Sequence, residues 1–268
     1  MHVRWRRPKS NRTTSNQHLR SDPNNTEALA DLSSILLLRG DQKVGLLTQL
    51  QALQIKQLFT IQTRGDFRLL IIKTPGDFMA NTPVEFMIRT SDISADELYI
   101  APNLPYPVLV DYDLVFIAIS KAEVNKPALE VAHTLLKQWR LPYVNNPGEI
   151  PFLCHMAISE NWLVHYLNAG MTFDEEKRFE ENRAMIFFDA GLAERHKEAF
   201  HHLTEIIDLD YFGIDCAETP DRQLLIFELA NAMIVHHMDP INMFPYKHPA
   251  MEKVFKAFHQ MLRDKVSS

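Results

Sequence analysis

The chain has 268 residues, 46% of them hydrophobic and 23% charged, with 8 glycines, 15 prolines and a formal net charge of −6. That is a globular composition, long enough for one large domain or two small ones, and no run approaches the ~18 apolar residues of a membrane span. Its scattered glycines form neither GxGxxG nor GxxxxGK[ST], loops in which a Cβ would collide with phosphate oxygens, so the common nucleotide loops are excluded.

Residues 1–21 carry six Lys or Arg (Arg4, Arg6, Arg7, Lys9, Arg12, Arg20) and no acid, which leaves the remainder near −12. A disordered basic tail is expected there. With one aromatic, Trp5, and no RNA-binding motif, it does not argue for a nucleic-acid partner. Asp22-Pro-Asn-Asn25 then leads into a helix over 26–39, with Leu29, Leu32, Ile35 and Leu36 at helical spacing and Gly40 as the stop. A second helix is predicted over 44–59. The pair looks like a tetratricopeptide hairpin, and as a single unit it reads as a helical cap over 22–62.

From Gly65 the pattern changes to short apolar runs, 67–73, 97–101 and 113–119, of the kind that fill a sheet covered on both faces. A helix over 126–139, with Pro127 in its first turn, separates them from a further short strand at 143–145. Strand and crossover alternating in this way predict a small parallel α/β unit over 66–147, with the loop 74–82 at the strand end where open α/β sheets place ligands. Beyond it, 148–268 is expected to be α+β: a strand-like segment at 153–159, a helix opened by Thr172 with Glu175 completing a capping box, a helix over 192–207, a hairpin of 211–217 and 224–230, and a last helix. That helix places Met251, Val254, Phe255, Phe258, Met261 and Leu262 on one stripe, read as core.

The hairpin carries the candidate chemistry. With Asp221 and Arg222 as its two loop residues, Ile214 faces Leu229, Cys216 faces Phe227, and Asp215 faces Glu228 on the opposite face. Directly opposed carboxylates about 5 Å apart repel by about 3 kcal/mol at an effective dielectric near 20. Either a hard cation such as Mg²⁺ neutralises them, using the room beside the small Gly213 and Ala230, or they splay into solvent or pair with a basic side chain. His236, His237 and Asp239 follow closely, and His is a common metal ligand. His196, His201 and His202 lack metal-binding spacing and are expected on a solvated helix face. Cys154 and Cys216 form neither a disulfide framework nor a zinc pattern, so a cytoplasmic setting is expected.

The segment DYFGIDCAETPDRQLLIFELANAMIVHHMDPINMFPYKHPAMEKVFKAF (210–258) resembles the C-terminal end of ATP-grasp proteins of a bacterial family often fused to tetratricopeptide repeats. HMAISENWLVHYLNAGM (155–171) and TPGDFMANTPVEFM (74–87) resemble it too. The resemblance implies a pre-ATP-grasp-like unit followed by an ATP-grasp C-terminal portion. Its activity would be ATP-dependent joining of a carboxylate to an amine or thiol, with Mg²⁺ bridging the phosphates. Asp215 and Glu228 fall on the family's metal-binding positions. Ala230 stands where the family has its metal-binding Asn, with Asn231 one residue late, while Lys247 matches the pattern and His236 would line the site. Full-length members carry a nucleotide-binding and lid subdomain between the points that Asn145 and His155 occupy, and this chain passes almost directly from one to the other. The resemblance therefore implies a shortened, inactive or atypical ATP-grasp protein that retains Mg²⁺ binding, with ATP a family expectation. The alternatives are a non-enzymatic interaction module binding a protein partner or a second copy, and a metal-dependent hydrolase using His236 or His237 with Asp215 and Glu228.

Overall fold

The computed structural model describes residues 22–106, 111–146, 170–207 and 209–267. The expected strand at 153–159, the 1–21 tail and nearly all of the 155–171 segment lie outside them. The chain divides into two compact units, one of 1–81 with 92–142 and one of 82–91 with 143–268.

In the first unit, helix α1 (Thr26–Leu38) is capped by Asn25, whose side chain accepts from the Ala28 amide at 2.9 Å. It ends where Gly40 takes a positive φ of 85° and the amides of Gly40 and Asp41 bond back to Leu37 and Leu36, a Schellman closure. Helix α2 (Gln42–Ile55) packs against α1. A Cβ on Gly45 would lie 2.8 Å from Leu37 Cγ, so this close approach requires glycine. The second helix stops at Ile55, short of the expected Phe59. Leu58–Gln62 is instead strand β1, paired antiparallel with β3 (Ser94–Tyr99). Its apolar residues suit a helix end by pattern alone, and the long-range partner decides otherwise.

Strand β2 (Arg68–Lys73) pairs in parallel with β3 on one side and β4 (Leu114–Ile117) on the other. Helix α4 (Lys126–Trp139) follows, and the sheet order is β1-β3-β2-β4-β5, with β5 at Tyr143–Val144. The fold is thus α/β with a mixed sheet: a parallel centre, as expected, and an antiparallel edge that the sequence did not announce. On one face Leu70, Ile72, Leu98, Val115 and Ile117 pack with Ala128, Ala132, Leu135 and Leu136 of α4. On the other, Leu69, Ile71, Leu114 and Phe116 are wholly buried, which is why β2 and β4 read as unbroken apolar runs. That second face also holds a buried ion pair, Lys73 to Glu97, with Lys73 5% and Glu97 6% exposed. The 74–82 loop is closed on itself: Asn81 accepts from the Thr74 amide and donates to the Thr74 carbonyl, both at 2.8 Å.

In the second unit, α3 (Val84–Ile88), too short to show a period, packs on the last helix α7 (Lys247–Ser267). There His259 Nε2 donates to the Met87 carbonyl at 2.7 Å. The expected apolar stripe of α7 buries Phe255, Phe258 and Leu262, while Val254 lies exposed at its margin. Tyr211 meets Phe258 edge to face, and burial pushes its phenol up to about 12. Helix α5 (Glu175–Ile186) is capped by Asp174, not Thr172, because Asp174 Oδ1 reaches the Lys177 amide at 3.1 Å. A π-helical turn (Asp189–Ala193) precedes α6 (Lys197–Ile206), and the hairpin β6 (Gly213–Glu218) and β7 (Leu224–Ala230) completes the unit. No helix among the described residues is long and apolar enough to cross a membrane.

Candidate functional site

The hairpin is built by two one-residue irregularities that cancel. Its turn has three residues rather than the expected two: the Arg222 amide bonds the Thr219 carbonyl at 2.8 Å, Arg222 takes φ 62°, and the Thr219 amide bonds Gln223 at 2.9 Å. A type I turn followed by a left-handed residue is the usual three-residue closure, with Pro220 at the position whose φ it presets. This turn pairs Glu218 with Leu224, Ala217 with Leu225 and Cys216 with Ile226, so the expected facing of Cys216 and Phe227 is corrected. Continued regularly, it would oppose Asp215 to Phe227. A bulge at Phe227 restores the register, and Asp215 opposes Glu228, Ile214 opposes Leu229 and Gly213 opposes Ala230.

Asp215 is exposed and Glu228 half-buried. Burial first, and the Asp215 charge second, push the Glu228 carboxyl above its usual range. The space expected beside the pair is taken on one side. A Cβ on Gly213 would lie 2.1 Å from Met233 Sδ, and residues two apart on a strand share a face, so the Met233 thioether packs on the carboxylate side of β6. Two carboxylates with water suffice for Mg²⁺, which keeps several of its waters, and the solvent-facing side of the pair fits that hydrated ion. The described residues contain no group of three or more His, Cys, Asp or Glu placed to hold a metal. Asn231 follows the end of β7 and is buried, with its carbonyl accepting from Thr82 Oγ1.

The other residues carried by the resemblance form a separate polar group within the same unit. Lys247 Nζ lies 3.3 Å from both Glu181 and Asp239, and 4.6 Å from the Phe244 ring centroid. Tyr246 donates to Glu181 at 2.6 Å. The lysine charge is thereby balanced by two acids, a poor arrangement for gripping phosphate. His236 Nδ1 accepts from the Met238 amide at 3.2 Å and its ring meets Phe86. Burial lowers its basicity, as it does that of His237, which packs between His248 and Phe255. His236 and His237 thus fit neutral, packed imidazoles.

The sequence reading missed the role of His196. Expected on a solvated face with His201 and His202, it is buried, while those two are exposed. Its Nε2 lies 2.9 Å from Glu218 Oε1, and Arg195 grips the same carboxylate through Nε at 2.8 Å and Nη2 at 2.9 Å. Only the hairpin partner distinguishes His196 from its neighbours, so spacing along the helix could not find it. Arg195 first and His196 second hold the Glu218 carboxyl at about 2. The folded state thus binds this proton more weakly than the unfolded chain. Its contribution to stability is present above about 4.5 and is lost as pH falls through that value toward about 2. Glu218→Gln should therefore lower the melting temperature at neutral pH and flatten its decline on acidification; equal acid profiles would show that the triad does not couple to folding.

No family model, curated protein or solved structure matches the chain. Fold and site together define an α/β protein with a mixed five-stranded sheet and a bulged hairpin that opposes two carboxylates.

Proposed function

We propose that this chain is a shortened, atypical ATP-grasp-like protein that binds Mg²⁺ at Asp215 and Glu228 and does not act as an ATP-dependent ligase by itself. The supporting observation is the bulge at Phe227, which opposes the two carboxylates although the turn alone would not. A bulge that re-aims a side chain is a common device beside functional sites. The raised affinity of Glu228 for a proton, from burial first and the Asp215 charge second, speaks for the same thing, because a nearby cation favours the ionised form that both disfavour. With Lys247 balanced by Glu181 and Asp239, that lysine is poorly placed to act with Mg²⁺ on a transferring phosphoryl group.

Thermal melts with and without Mg²⁺ and ATP test the reading. Mg²⁺ alone should raise the melting temperature of the native chain, Asp215→Ala and Glu228→Ala should abolish the shift, and ATP should add nothing beyond chelating the ion. A melting temperature indifferent to Mg²⁺, or a shift surviving both substitutions, sinks it. The interaction-module reading has its own support in the exposed Phe179 of α5 and the exposed Phe187 just beyond its end.

A further inference from the structure

Helix α5 buries none of its residues, and it carries Glu175 and Glu176 in its first turn and Arg183 in its last. Glu176, Phe179, Arg183 and Ile186 recur at spacings of three and four, so they share one stripe. Phe179 is 70% exposed and Ile186 65%, with Phe187 (61%) just beyond the helix end and Phe173 (87%) just before its cap. Single exposed apolar residues need no explanation, but an array of this kind marks an interaction site. Neighbouring charges are engaged on the helix itself, Asp174 with Lys177 at 3.9 Å and Glu175 with Arg178 at 3.6 Å. The two charges within the stripe are not: among the described residues, neither the Glu176 carboxylate nor the Arg183 guanidinium has a partner.

This pattern is complementary to its own reverse. Let two copies of α5 pack antiparallel about a twofold axis, with Glu176 of one level with Arg183 of the other. The axis makes the contact twice and keeps both members of each pair on the same edge of the interface. That register sets the two Phe179 rings one residue apart along the axis, about 1.5 Å, and brings Ile186 level with Phe173 of the second copy. The Glu–Arg pairs then bracket the phenylalanines, one turn to either side. Glu175 falls level with Ala184 and meets no like charge. A parallel pair would instead set Glu176 against Glu176 and Arg183 against Arg183. We propose that this stripe of α5 is a self-association face, on which a second copy of the chain docks antiparallel through Phe179 with Glu176 and Arg183 paired across the axis. The apolar side chains supply the attraction, and the exposed ion pairs fix orientation and register rather than strength.

Sedimentation velocity of the full-length chain over a concentration series tests the proposal. One helix per copy is at the small end of specific interfaces, so a dimer with a Kd on the order of 10 µM is expected. Glu176→Arg and Arg183→Glu, each alone, set like charges together at both contacts and should weaken association about tenfold or more. Mixed in equal amounts, the two variants should dimerise as the native chain does, because every contact then joins an acid to a base. Phe179→Ser should leave a monomer. All three side chains are exposed, and circular dichroism checks that the fold is kept. A native chain that stays monomeric well above this concentration overturns the proposal. So do single charge variants that associate like the native chain, or a mixture of the two that stays monomeric.

Discussion

Replacing Lys73 with Met should cost about 3–5 kcal/mol of stability, whereas adding Glu97→Leu should restore most of it. Both side chains lie within the sheet among residues of zero or near-zero exposure, Leu69, Ile71 and Phe116, and each is the charge partner of the other. Removing one takes from the other its ion-pair partner in a low dielectric, while removing both lets an apolar pair fill the volume. Denaturant unfolding of the two single variants and the double gives the coupling energy directly. A single substitution that costs less than about 1 kcal/mol would mean that water reaches the pair and that it is no part of the core.

Asp215→Asn should act the other way. With the carboxylate opposite Glu228 neutralised, the hairpin should gain about 0.5–1 kcal/mol at neutral pH, the range for a like-charge cross-strand pair. The sign with pH follows from Glu228, whose folded carboxyl titrates above its unfolded value of 4.5. The folded chain therefore holds that proton more tightly, and the associated stability is complete below about 4.5 and is lost as pH rises through the folded value. Asp215→Asn should remove part of that loss, so the native and variant curves converge on acidification and separate toward neutrality. Mg²⁺ should reproduce the effect in the native chain and leave the variant unmoved. Curves that stay parallel across this range would show that the two carboxylates do not sense each other.

The hairpin shows how far local patterning reaches. Alternation with a two-residue turn and no bulge puts Asp215 opposite Glu228, and the structure has them opposed, by a different turn and a bulge. Two single-residue departures cancelled. Turn length follows from Thr219 bonding both Gln223 and Asp221, a preference that the TPDRQ sequence permits without requiring. The bulge has no marker in the sequence, since Phe227 is neither glycine nor otherwise unusual. Similarly, Thr172 with Glu175 made an acceptable capping box, but Asp174 lies nearer the helical turn and took the role.

The residues by themselves determined what depends on near neighbours. Unbroken apolar runs set the buried parallel centre of the sheet, Asn25 and Gly40 set the bounds of the first helix, and a three-to-four period set the buried stripe of α7. Tertiary structure decided what depends on a distant partner. Leu58–Gln62 became a strand because β3 offered an unpaired edge, and His196 became a buried ligand of Glu218 because the hairpin met it. Met233 closed the space beside Gly213, and Lys247 settled between two acids from separate segments. Each of these outcomes turns on a contact between residues far apart in the chain, and a periodicity or a cap carries no information about which distant group will arrive.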